Sequence, residues 1–399
     1  MSGETQTNER ERQIYKYDRT PYLVIFDEKA KFKDTYGGQI DRIALEAQHL
    51  MPRGRPSKTV MIITHPIGGG QYLPMPATLA KQGIHTIYLN TRYRGADYAL
   101  IMEKTIVDLG ACIKDAKTRL GYERVVLGGW SGGGSMSLFY QSQAESPTVT
   151  QTPAGDAPDI TQAGLIPADG VILLAAHMSR NRTLTEWLDA SILDENDPTK
   201  RDPELDLYNP ANVNQPPYTP AFLEKYRAAQ IARNRRITAW VKDKLATLKQ
   251  SGRENDEFNF VVHGTMADPR WLDPAVDPSD RKPRWCMLGD PQVVNMSPIG
   301  LGRFSSLRSW LSQWSYDDSN ADGLKCAARL KAPLLSITNS ADDAVTPSHS
   351  KLMYAAVPHN RKEAVTITGA NHYYFGQPEK ATEAARICFD WLKRNSFEQ

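Results

Sequence analysis

The sequence predicts an α/β protein: a mostly parallel sheet with helices on both faces. Three observations carry that expectation. Strand-sized apolar runs alternate with helix-period patterns through the first half of the chain and again near its end. The repeated strand, helix, strand order requires crossover connections, which pair strands in parallel and lay helices over the sheet. A glycine-flanked serine, Gly129-Trp130-Ser131-Gly132-Gly133, stands between an apolar strand and a helical segment.

The elements follow in order. Tyr22 to Phe26 and Ile43 to Leu50 read as early antiparallel strands, with a turn at Gly37 and Gly38. Thr59 to Thr64 is a third strand, running into His65-Pro66-Ile67-Gly68-Gly69-Gly70, and His85 to Leu89 is a fourth. Met102, Ile106, Leu109, Ile113, Ala116 and Leu120 recur on one face of a helix that Gly121 stops. Arg124 to Leu127 is a strand, Gly132 to Gln143 a helix and Gly170 to Ala176 a buried strand. Strands at Pro333 to Thr338 and Ala364 to Thr368 precede a closing helix at Glu379 to Leu392, with Ala381, Ala384, Cys388 and Trp391 in phase. Between residues 178 and 305 this rhythm breaks. Pro- and Asp-rich stretches there flank one long basic helix, Pro220 to Lys249, whose Phe222, Tyr226, Ile237, Trp240, Val241, Leu245 and Leu248 form a covering face. The expected division is a core of residues 1–177 and 306–399 with an insertion at 178–305.

Composition narrows the function classes. The 399 residues carry 48 Lys and Arg against 46 Asp and Glu, a formal net charge of +2. That balance lacks the basic footprint of a nucleic-acid or anionic-membrane binder. Nothing approaches a membrane-spanning apolar run, and the polar first nineteen residues do not read as a secretory signal, so a cytoplasmic location is expected. Cys112, Cys286, Cys326 and Cys388 form no Cys-x-x-Cys pair, and the eight histidines show no zinc-site spacing. No metal or cofactor is expected. Self-association stays open.

Chemistry concentrates around Ser131. A serine on a sharp strand-to-helix turn needs neighbours without a β-carbon, and the helix behind it brings N–H groups and a positive dipole end. With this motif the chain resembles the α/β-hydrolase family, in which the nucleophile is followed by an acid and then a histidine. The resemblance implies a mostly parallel eight-stranded sheet and an inserted cap at 178–305 that shapes substrate choice. It also implies a cofactor-free serine hydrolase acting on a small ester-like substrate through an acyl-enzyme.

The site residues follow from that order. His372, in Gly369-Ala370-Asn371-His372-Tyr373 after the last strand, matches the general base. The acid lies in Asn339-Ser340-Ala341-Asp342-Asp343-Ala344, where counting from the strand favours Asp342 and counting back from Pro347 favours Asp343. Asp342 is preferred, with Asp343 in reserve. Relatives commonly carry glycine where Asn339 stands. Asp268, after Phe260-Val261-Val262, offers a competing strand-and-acid pattern and is set aside because the later loop is complete.

The loop after the third strand would supply the oxyanion hole. Pro66 has no N–H, so the donor is expected from Ile67 or Gly68, paired with the Gly132 amide. His65 is expected to fix the loop. Trp130, Tyr373 and Arg92 are the substrate-contact candidates. The same machinery also serves carbon–carbon bond hydrolases, lactonases, thioesterases and acyltransferases, while a non-catalytic binding protein on this scaffold would have lost one of the three residues.

Overall fold

The protein is described by a computed structural model that covers residues 13–30, 32–33 and 39–397. Gly37 and Gly38, the expected hairpin turn, lie outside the described residues. Among the described residues there are ten strands: β1 (Tyr17–Asp27), β2 (Arg42–Pro52), β3 (Thr59–His65), β4 (Thr86–Asn90), β5 (Arg124–Trp130), β6 (Gly170–Leu174), β7 (Asn259–Val261), β8 (Phe304–Ser306), β9 (Leu334–Asn339) and β10 (Lys362–Ile367). Eight of them form one sheet in the order β1-β2-β4-β3-β5-β6-β9-β10. β2 runs antiparallel to both β1 and β4, and every other pairing is parallel.

Residues of β5 and β6 are buried almost without a break because helices cover both faces, which is why their sequences are continuous apolar runs. On one face lie α2 (Met102–Thr118) and α3 (Gly132–Glu145). The expected α2 stripe of Met102, Ile106, Leu109, Ile113 and Ala116 is buried there with Leu138 and Phe139 of α3. The other face is covered by α1 (Pro74–Lys81) and by the closing helix, which the structure extends to Pro378–Arg394. Met75 and Leu79 meet Ala384, Cys388 and Trp391 there. The sequence reading had no helix at α1, whose eight residues carry three breaks in pattern from Pro74, Pro76 and Thr78.

Between β6 and β9 the chain leaves the sheet. This segment holds α4 (Arg180–Trp187), α5 (Pro220–Gln250) and the two-stranded ribbon of β7 and β8. α5 buries Phe222, Tyr226, Ile237, Val241 and Leu248 as expected, whereas Trp240 is 42% exposed, edging onto the Phe260 ring with Lys244 over its face. It also turns Arg233 inward, where the guanidinium donates to the carbonyls of Asp189, His263 and Gly264 and pairs with Glu195. The segment runs further than the expected boundary at 305. Leu307, Trp310, Leu311 and Trp314 pack with Leu184, Ile237 and Val241, so the return to the sheet layers comes at the short helix Gly323–Ala327.

The same segment is fastened to the loop after β9. Asp280 N donates to Ser340 O at 2.8 Å, Met287 N to Asp343 O at 2.7 Å, and Ser348 N to Asp277 Oδ2 at 3.1 Å. Among the described residues, no helix is long and apolar enough to cross a membrane, and no group of three or more His, Cys, Asp or Glu is placed to hold a metal ion.

Candidate active site

Ser131 is the single residue between β5 and α3, with φ 53° and ψ −124°. A non-glycine residue held there is strained and persists because its surroundings over-determine it. Its N–H donates to Leu174 O at 3.1 Å, and its carbonyl accepts from Gly134 N at 3.0 Å. Two glycines around it are fixed by close approach. A β-carbon on Gly133 would stand 2.1 Å from Thr64 O, and one on Gly129 would stand 2.6 Å from Gly134 Cα. Both obstacles are backbone and cannot swing aside. Gly133→Ala should therefore lift α3 off β3, costing about 1–3 kcal/mol, the usual range for overpacking. A denaturation midpoint equal to that of wild type would contradict this account.

His372 sits on the loop after β10. Its Nδ1 is 3.0 Å from Asp342 Oδ2, and the pair is almost fully buried. The other carboxylate oxygen, Oδ1, accepts from Ala344 N at 2.8 Å and Val345 N at 2.7 Å. A carboxylate only accepts, so the ring hydrogen belongs on Nδ1 and Nε2 is left with a lone pair. His372 Nε2 is buried and has no hydrogen-bond partner among the described residues. Trp130, next to Ser131 in the chain, donates from Nε1 to His372 O at 3.2 Å. Asn339 explains its own departure from glycine, since Nδ2 donates to Asn371 O at 2.8 Å while Oδ1 accepts from Tyr374 Oη–H at 3.0 Å.

The competing acids do not hold the ring. Asp343 makes no hydrogen bond to the His372 ring, and burial followed by the neighbouring Asp342 charge raises its carboxyl above the ordinary range. Asp268 is fully buried between Arg227 and Arg270.

Ser131 opens into a cavity of about 320 Å³ whose apolar wall comes from Ile63, Ile67, Leu73, Tyr88, Trp130 and Tyr373, with His65 and Gly68 to Gly70 along one side. Trp130 and Tyr373, two of the three substrate-contact candidates, thus face it together, their ring centroids 5.6 Å apart. Arg92 is a correction. Its buried guanidinium binds Asp108 and Glu28, with Nε to Asp108 Oδ1 at 2.9 Å and Nη1 to Glu28 Oε1 at 2.6 Å, so it braces the loop after β4 and does not line the cavity.

The loop amides also differ from expectation. Gly68 N donates to His65 O at 2.9 Å in a tight turn, and Ile67 N points to His65 Nδ1 at 3.4 Å. Gly69 N and Gly70 N donate to Asn90 Oδ1 and Tyr88 Oη. Gly132, by contrast, opens the first turn of α3, where N–H groups have no intrahelical acceptor.

His65 ends β3, and Ser131, Asp342 and His372 follow the carboxyl ends of β5, β9 and β10, at one end of an eight-stranded sheet with helices on both faces. The chain has an α/β-hydrolase fold. No protein-family model matches it, and no curated protein matches it by sequence. Similar solved structures include the monoacylglycerol lipase of Paleococcus ferrophilus, 17% identical over 88% of this chain and 100% of that one, with a TM-score of 0.46. The siderophore hydrolase EstB from Aspergillus fumigatus is 13% identical over 88% and 95%, with a TM-score of 0.48. The esterase domain of a Rhodothermus marinus protein is 12% identical over 94% and 98%, with a TM-score of 0.45.

In this hydrolase fold several polar residues near Ser131 have no counterpart in the sequence reading. His177, three residues past β6, brings Nε2 to 3.2 Å from the β-carbon position of Gly132. His349 Nε2 contacts Glu186 Oε2 at 2.9 Å, and Arg180 donates to Gln313 Oε1 at 2.8 Å with its guanidinium 4.3 Å from the Trp314 ring centroid. Burial, reinforced by the Arg180 and His372 charges, pushes the His65 imidazole down to about 3. Burial, with His349 and Arg180, likewise holds His177 well below its ordinary value. In both rings burial therefore favours the neutral form. The one sequence signal for His177 is its place just after a buried strand end.

Proposed function

We propose that the chain is a serine hydrolase that cleaves a carboxylic ester through an acyl-enzyme on Ser131. The observation that carries this reading is the His372 ring, anchored at Nδ1 by Asp342 with its Nε2 lone pair unspent beside the strand end that bears Ser131. Ser131 Oγ adds to the substrate carbonyl carbon while its proton passes to His372 Nε2. Asp342 holds the tautomer and stabilises the imidazolium. The tetrahedral oxygen takes a hydrogen bond from the Gly132 amide at the positive end of α3. His372 then protonates the departing alkoxide, and water, deprotonated by the same ring, releases the acid. The apolar cavity suits a modest acyl or alcohol group, being at the small end of ligand pockets. Residues from 178 to about 322 are proposed as the cap, on the strength of their bonds to the loop that carries Asp342.

A fluorophosphonate probe should label wild type and leave Ser131→Ala unmodified, both proteins being folded by circular dichroism. Labelling of neither protein, or of both equally, would defeat the reading. Hydrolysis of p-nitrophenyl esters of rising chain length should accompany it. Turnover confined to vinylogous 1,5-diketones would move the assignment to carbon–carbon bond cleavage.

A further inference from the structure

We propose that the His65 imidazole, through Nε2–H, is the loop-side hydrogen-bond donor to the oxyanion, in place of the backbone amides of Ile67 and Gly68. The inference rests on the Ser131 reading above and adds a residue to it. Its first support is the loop itself, because both expected amides are engaged by His65: Gly68 N–H by the carbonyl at 2.9 Å and Ile67 N–H by ring Nδ1 at 3.4 Å. The second is the tautomer. A neutral imidazole whose Nδ1 accepts must carry its hydrogen on Nε2.

The third support is position. His65 lines the cavity with Ser131, and its Nε2 lies 2.8 Å from where a β-carbon on Gly132 would stand. Gly132 is the residue whose amide faces the same developing charge from the helix side. Glycine there leaves the ring room to approach, and alanine would drive it away. The ring's low proton affinity fits this use, since a neutral imidazole donates a hydrogen bond without offering a proton. His65 therefore does not compete with His372 as base, and no proton moves through it. His177 approaches the same point, but its Nδ1 is buried without a partner, so nothing fixes which ring nitrogen carries its hydrogen.

The test compares wild type with His65→Gln, His65→Phe and His65→Ala on p-nitrophenyl acetate and on a trifluoromethyl ketone, which forms a tetrahedral adduct with the serine. His65→Phe and His65→Ala should lose kcat by about 10²–10³-fold with little change in KM, the size expected for one oxyanion donor. They should lose a similar factor in affinity for the ketone, and His65→Gln, which keeps an N–H, should recover a tenfold share of both. Equal kcat in wild type and His65→Ala, or no advantage of Gln over Phe, overturns the proposal. Nitrogen-15 histidine spectra of wild type give a check independent of variant folding: an Nε2–H tautomer at His65 is expected, and an Nδ1–H tautomer refutes it. Failure of wild type to take the fluorophosphonate would instead sink the Ser131 reading, which keeps the two outcomes apart.

Discussion

Asp342→Asn is expected to lower kcat by about 10⁴-fold while leaving the fold intact, the magnitude seen when a triad acid becomes an amide. The reason lies in the two loop amides at Ala344 and Val345, which already claim one side-chain oxygen of residue 342. An asparagine must keep its oxygen there, so its NH₂ faces His372 Nδ1. That nitrogen then has to accept, the ring hydrogen moves to Nε2, and the base has no lone pair left for Ser131. Asp343→Asn should lower kcat far less than Asp342→Asn, because the Asp343 carboxylate reaches the His372 backbone and not the ring nitrogen that Asp342 holds. Steady-state kinetics on a p-nitrophenyl ester distinguish the two. A larger loss at 343 than at 342 would reverse the assignment of the acid.

The largest effect on stability is expected at Arg270. Its buried guanidinium bridges Asp268, with Nη2 to Oδ2 at 2.5 Å, to Glu186, and reaches Thr346 Oγ1 at 2.9 Å. Arg270→Met would leave Asp268 with Arg227, and Glu186 with His349 and the more distant Arg227, at a cost of about 3–5 kcal/mol for a broken buried pair. The exposed pair of Arg235 and Asp317 is the control, and Arg235→Met should change stability by less than about 1 kcal/mol. Urea denaturation measures both, and equal effects would show that burial of the cluster contributes nothing.

The cluster also sets an acid dependence. Burial alone would raise both carboxyls. Arg270 and His349 nevertheless hold Glu186 well below its ordinary value, and Arg227 and Arg270 hold Asp268 below its own. On acidification the unfolded chain therefore takes up these protons before the folded one does. The contribution is complete above the unfolded values near pH ~4 and is lost as pH falls through the lower, folded ones. Arg270→Met should shrink that acid-limb slope.

What the sequence made legible was local. Apolar runs marked the strands of the sheet, a 3.6-residue stripe marked α2, and the glycines around Ser131 marked a turn whose steric need can be stated residue by residue. Order along the chain pointed to His372 and narrowed the acid to two neighbours, but deciding which one meets the ring at 3.0 Å needed the loop's backbone geometry. Arg92 misled because its partner Asp108 sits sixteen residues away on a helix face, where nothing in the local pattern announces a buried ion pair. His177, Arg180 and His349 stayed hidden for a related reason. Each is a lone polar residue whose surroundings come from parts of the chain far away in sequence.

The bonds from Asp277, Asp280 and Met287 into the stretch around residues 340–348 have a practical corollary for engineering. A chimaera that imports a foreign segment in place of residues 178–322 would sever these threads and leave the loop beneath Asp342 without its outer support. Crossover points should therefore fall beyond Ser348, so that the donor's segment and the loop it braces are transplanted as one piece.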